Sequence, residues 1–127
     1  MDVLEGNKLI GTTLFGAEYI NDDPIVYPKG YYWQKTIDDK AIELPCLAED
    51  WEFDCNWNWV ISAVKQLRLV GYDIHIQFNG DQDFLTVWVW DKNGIALPCG
   101  YPDTDMMMVF ESVVNATNHY NKQKESN

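Results

Sequence analysis

Apolar and polar positions divide the chain into recognisable segments. Asn7 stands where an N-cap would, ahead of Leu9, Ile10, Thr13, Leu14 and Phe15, and Gly16 sits in the C′ position. That spacing predicts a short first helix. From Ala17 to Asp54 the pattern loosens. Ala17-Glu18-Tyr19-Ile20 and Tyr31-Tyr32-Trp33-Gln34-Lys35 read as short strands, set apart by the turn formers Asn21-Asp22-Asp23-Pro24 and Pro28-Lys29-Gly30. Residues 55–70 predict a helix with Asp54 as N-cap and Gly71 as its stop. Trp57, Val60, Ile61, Val64 and Leu67 fall within one arc of about 120°. Trp59, Ala63 and Val70 form a second apolar strip. A helix with one buried face does not need that strip, so either the N-terminal aromatic segment or a partner covers it.

Tyr72 to Phe78 alternates cleanly, with Tyr, Ile, Ile and Phe on one face. Asn79-Gly80-Asp81 supplies turn chemistry before a strand from Phe84 to Trp90. There Leu85, Val87 and Val89 share one face and Phe84, Thr86, Trp88 and Trp90 the other. Both faces are largely apolar, so the strand is covered on both sides or presents a binding surface. Asp91-Lys92-Asn93-Gly94 is a second turn, leading to a short strand at Ile95-Ala96-Leu97. The last helix begins near Asp103 or Thr104 and ends near Asn121, with Met106, Val109, Phe110, Val113, Thr117 and Tyr120 on one face and Met108 turned away. The fold class this order predicts is α+β: an antiparallel sheet, a three-stranded meander plus short strands, packed with helices in an α/β/α-type sandwich. A single domain covers residues 1–127, with an ordered core over 7–121 and a frayed tail over 122–127.

Composition narrows the function classes. The chain carries 20 acidic against 9 basic residues, a net charge of −11. That balance argues against direct nucleic-acid binding, which rests on clustered Lys and Arg. The charge is uneven, −8 over residues 1–60 and −3 over 61–127. No uncharged stretch approaches the roughly 20 apolar residues of a membrane span, and Met1-Asp2-Val3-Leu4-Glu5 does not open a secretory signal. The expected location is therefore the cytoplasm. Cys46, Cys55 and Cys99 lack the paired spacing of a zinc site, so no metal and no cofactor are expected. The repeated Leu-Pro-Cys at 44–46 and 97–99 raises a Cys46–Cys99 pairing, against the simpler expectation of free thiols in a reducing compartment.

Three segments, Asn7 to Gly16, Trp57-Asn58-Trp59-Val60 to Gly71, and Val109 to Tyr120-Asn121, carry a resemblance. Together they resemble small phage and prophage proteins common in Bacteroidetes, similar to the phage ABA sandwich domain. Those proteins open with an Asn-Lys-Leu-Ile-Ala type helix ending in Gly, carry a Trp-x-Trp-Leu helix, and finish on Tyr-Asn. Gly11-Thr12-Thr13 departs from the Ala-Glu-Phe usual there. The resemblance implies a fold and a phage origin. It brings no activity or site residue with it.

Candidate chemistry is sparse. Asp73 and His75 share the polar face of a strand but lack a third ligand or catalytic partner. His119 is expected to be exposed. No Gly-x-Ser-x-Gly elbow or phosphate loop occurs, so catalysis is not expected. Glu49, Asp50, Glu52 and Asp54 interleave with Trp51 and Phe53 in a stretch with no base between Lys40 and Lys65. Helix-dipole complementarity explains the acids nearest the helix start. The whole cluster, with Trp59, suits a basic partner, and the first expectation is a non-catalytic accessory protein that binds a host protein, an inhibitor of host enzyme or defence machinery. The alternatives are a small-molecule or nucleotide-signal binder stacking on Trp88 and Trp90, and an assembly component forming a homo-oligomer through the second strip of helix 55–70.

Overall fold

The computed structural model describes residues 2–19, 32–34, 44–78, 85–99 and 104–125. The predicted Asn79-Gly80-Asp81 turn and Phe84 lie outside them. In chain order the elements are α1 (Val3–Leu14), β1 (Ala17–Tyr19), β2 (Tyr32–Gln34), a 3-10 turn (Ala48–Asp50), α2 (Trp57–Leu69), β3 (Asp73–Phe78), β4 (Leu85–Trp90), β5 (Ala96–Leu97) and α3 (Asp105–Glu125). This is the expected α+β class, with a three-stranded antiparallel sheet β3-β4-β5 and a separate antiparallel pair β1-β2.

The helices begin and end where capping chemistry allows. α1 starts four residues ahead of the expected cap, because Asp2 takes that role and its Oδ1 accepts from the Glu5 N–H at 3.2 Å. Asn7 is thereby carried inside the helix and buried. Gly16 follows with φ +73°, the left-handed position that a glycine fills without strain. α2 is capped by Asn56, whose side chain accepts from the Asn58 N–H at 3.0 Å, rather than by Asp54. α3 runs to Glu125, beyond the predicted end at Asn121. Lys122 and Lys124 favour the negative end of its dipole, and Lys124 Nζ lies 5.1 Å from the Tyr120 ring centre.

Cross-strand register sorts the sheet faces. Ile74 faces Val89 and Ile76 faces Val87, and this side meets the core. Asp73 faces Trp90, His75 faces Trp88 and Gln77 faces Thr86 on the other side, where Asp73, His75, Gln77 and Trp88 are exposed. α2 and α3 pack on the core side, α3 against β4 and α2 against β3, and α1 lies on α3 and α2. Val60 and Leu67 of α2, Phe110 and Val113 of α3, and Ile10 of α1 are completely buried with Leu85 of β4. Each such side chain contributes about 1.5–3 kcal/mol relative to exposure. Phe110 lies so close to Gly6 that a Cβ there would stand 2.7 Å from its Cζ. That close approach brings α1 and α3 together. Asn121 Nδ2 adds a 2.9 Å bond to Thr13 Oγ1 across the same interface.

Two apolar positions differ from the periodic reading. Trp57, placed on the buried arc, is 40% exposed: it opens the first turn of α2, ahead of the stretch where Val60, Ala63, Val64 and Leu67 meet the core. Met108, expected to point away, is half-buried against the core cluster. All three cysteines are free, so Cys46 and Cys99 do not pair.

Candidate functional site

The acidic segment folds over the start of α1. After the 3-10 turn, Trp51 drops inward and residues 52–56 close a tight turn in which Cys55 N and Asn56 N both donate to Glu52 O, at 3.1 and 2.9 Å. Asn7 holds this loop to α1: its Nδ2 donates to Trp51 O at 3.1 Å and to Asp54 Oδ1 at 2.9 Å. The result is an open cleft of about 610 Å³. One wall is Val3, Leu4 and Asn7; the other is Glu49, Asp50, Trp51, Glu52, Asp54 and Cys55. No Lys or Arg is among the described residues that line it.

The cleft lies near the starts of two helices. It is bordered by the N-terminal turn of α1, and the chain passes from Asp54 directly into the cap of α2. Both helix starts carry partial positive charge, but its effect fades beyond the first turn, where α1 holds Glu5 and α2 holds no acid. Glu49, Asp50 and Glu52 remain exposed, whereas Asp54 is half-buried and tied to Asn7. Partial burial, then the charges of Asp54 and Glu52, push the Cys55 thiol above its ordinary value, so it stays protonated.

Of the residues expected to form the binding surface, the structure brings Glu49, Asp50, Glu52 and Asp54 together around this cleft. The aromatic members play other parts. Trp51 is only 3% exposed, its Nε1 donates to Pro45 O at 2.7 Å, and its ring packs 5.1 Å from Tyr32. It anchors the loop and offers no ring face to a partner. Trp59 is half-buried and meets Phe53 edge-on at 5.1 Å. Phe53 therefore covers the second strip of α2 from within the chain, at Trp59 at least. The displayed aromatic is Trp57, which the helical arc had assigned to the core.

The stacking alternative lands on a groove of about 280 Å³ along β4. Trp88, 42% exposed, and half-buried Trp90 line it with Leu97, Cys99 and Met108. The described lining contains no basic residue. On the sheet face beside it, His75 Nε2 lies 3.0 Å from Asp73 Oδ1 and its ring stands edge-on to Trp90 at 5.1 Å. Among the described residues no three His, Cys, Asp or Glu side chains gather as a metal site would require.

A third cluster escaped the sequence reading. His119, expected to be exposed, is half-buried in α3, and its Nδ1 is 2.6 Å from Tyr72 Oη. Its Nε2 is 3.8 Å from Asp91 Oδ2. Asp91 Oδ1 accepts from the N–H groups of Asn93 and Ile95 at 2.8 and 2.9 Å. These backbone N–H groups, Ile95 first, hold the Asp91 carboxyl below its ordinary value against the opposing effect of burial, with help from His119 and Lys92. Burial, with the charge of Asp91 behind it, pushes the Tyr72 phenol up, so Tyr72 keeps its proton in the hydrogen bond it shares with His119. Tyr72 is closed from solvent, and the triplet works as a clamp between α3, the start of β3 and the β4–β5 turn. Nothing in the local sequence around His119 signals a tyrosine 47 positions away.

No known protein family, curated protein or solved structure matches this chain. Among the described residues, no helix is long and apolar enough to cross a membrane.

Proposed function

We propose that this chain is a non-catalytic accessory protein of the phage type that acts by binding a basic host protein through its acidic cleft. The observation that carries the reading is the open cleft itself. It gathers Glu49, Asp50, Glu52 and Asp54, shows no described base in its lining, and has an exposed apolar residue, Leu4, on its wall. Charge of one sign on a concave surface steers an oppositely charged partner and sets its orientation. Blocking the basic surface of a host enzyme or defence protein in the bacterial cytoplasm is the action that such a surface suits.

The test compares wild-type protein with the Glu49→Lys/Glu52→Lys variant, both tagged, in capture from host lysate followed by mass spectrometry. A stoichiometric partner held by the wild type at low salt, released as salt rises and missing from the variant supports the reading. A partner retained equally by both overturns it.

A second reading keeps one specific observation, the exposed Trp88 above the β4 groove. With no described base in the lining, that groove suits a neutral, largely apolar molecule better than a nucleotide signal. The assembly reading loses the Trp59 part of its surface to Phe53.

A further inference from the structure

We propose that the acidic cleft receives an arginine side chain of the partner, its guanidinium held by the carboxylates of residues 49–54 and by Asn7. The inference rests on the protein-binding reading above and names the chemistry of the partner's contact. Asn7 is 3% exposed, and its side chain reaches from α1 between Trp51 and Asp54 in the cleft wall. Its Nδ2 is committed to two acceptors, Trp51 O and Asp54 Oδ1. Turning the amide over would set Oδ1 against those same acceptors, so its orientation is fixed. Oδ1 is then left buried with no hydrogen-bond partner. A buried acceptor without a donor is unusual in a folded protein and marks a place for one.

What fits there must donate N–H groups and carry positive charge. Glu49, Asp50, Glu52 and Asp54, once ionised, accept hydrogen bonds and donate none, and their common demand is for a cation. The partial positive charge at the start of α1 does not reverse this demand, because Asp2 and Glu5 sit on that same turn. A bare metal ion is the poorer fit, since among the described residues no three ligands converge. Val3 and Leu4 offer an apolar wall on which the methylene stem of a long basic side chain can lie. Between the two basic side chains, arginine matches better. Its planar fork of five donors reaches several separate acceptors at once and gives up its water more readily than an ammonium does.

The proposal separates two ligands of equal charge. Calorimetric titration of the full chain with acetylated hexa-arginine and hexa-lysine at low salt should show the arginine peptide binding about tenfold tighter, the lower end of what one added charge-assisted bond contributes. Glu49→Gln and Glu52→Gln, both at exposed positions, should weaken both peptides alike. Asn7→Leu should make the two peptides equal. Equal affinities in the wild type, or a preference that survives Asn7→Leu, overturn the assignment. Should Asn7→Leu fail to fold, the side-chain amide resonances of Asn7 in the wild type decide the matter. They must shift with hexa-arginine and not with hexa-lysine, and resonances that stay in place refute the contact. Loss of the lysate partner in Glu49→Lys/Glu52→Lys without any arginine preference leaves the binding reading standing and removes this one. A partner retained by that variant removes both.

Discussion

Gly11 lies directly beneath the indole of Trp51: a Cβ at position 11 would run into Cζ3, Cε3 and Cη2 of that ring. A glycine inside a helix costs about 1 kcal/mol relative to alanine, so on propensity alone Gly11→Ala should stabilise α1. The packing reverses the sign. Trp51 is fixed by its bond to Pro45 and its contact with Tyr32, and cannot retreat. Overpacking of this kind costs about 1–3 kcal/mol. Gly11→Ala is therefore expected to lower the denaturation midpoint, and a midpoint equal to or above the wild type in urea would contradict the close approach.

The same pair shows what could be read in the sequence and what could not. Periodicity located the helical segments, the alternating strand at Ile74 and Ile76, and the gathering of acids ahead of α2. It misplaced Asn7, because an asparagine satisfies a helix end and a buried carbonyl equally well, and only the position of Trp51 O decides between them. It misplaced Trp57, since the arc of a helix does not tell which of its ends overhangs the core. It missed the Tyr72–His119 bond because long-range pairing leaves no local spacing. The four carboxylates of the cleft were legible as a cluster. Their wall, supplied by Val3, Leu4 and Asn7 some 45 positions earlier, was not.

The Asp91 carboxylate gives stability an acid edge. Its folded value lies below the ordinary 3.8, so the folded state holds its proton less tightly than the unfolded chain does. The contribution is therefore fully present above pH 3.8 and is lost as pH falls through the folded value. Asp91→Asn should flatten the slope of stability against pH in that acid range. An acid slope identical to the wild type would show that Asp91 does not carry this edge.

Tyr72 sets the alkaline edge with the opposite sign. Its folded value is raised above 10.0, so the unfolded chain loses this proton first. The phenol's contribution is fully present below pH 10.0 and declines as pH rises through the folded value. Tyr72→Phe should remove this decline and, at neutral pH, cost about 1 kcal/mol for the lost bond to His119. Ultraviolet titration offers an independent check: a tyrosine signal that appears only beyond the bulk transition should vanish in the variant.

Phe53 and Trp57 stand four residues apart and should separate folding from binding. Phe53 is completely buried between Phe15, at 5.3 Å, and Trp59, at 5.1 Å. Phe53→Ala should cost about 3–5 kcal/mol, a large part of the stability of a domain this size. Trp57 keeps 40% of its surface in solvent, so Trp57→Ala should cost less than that, about 1–2 kcal/mol. If the partner spans both the cleft and the first turn of α2, Trp57→Ala should nonetheless weaken capture strongly, because a displayed tryptophan beside a charged rim is the residue type that anchors interfaces. Equal capture by Trp57→Ala and wild type would confine the contact to the carboxylates. A large loss of stability in Trp57→Ala would instead mean that its ring supports the fold.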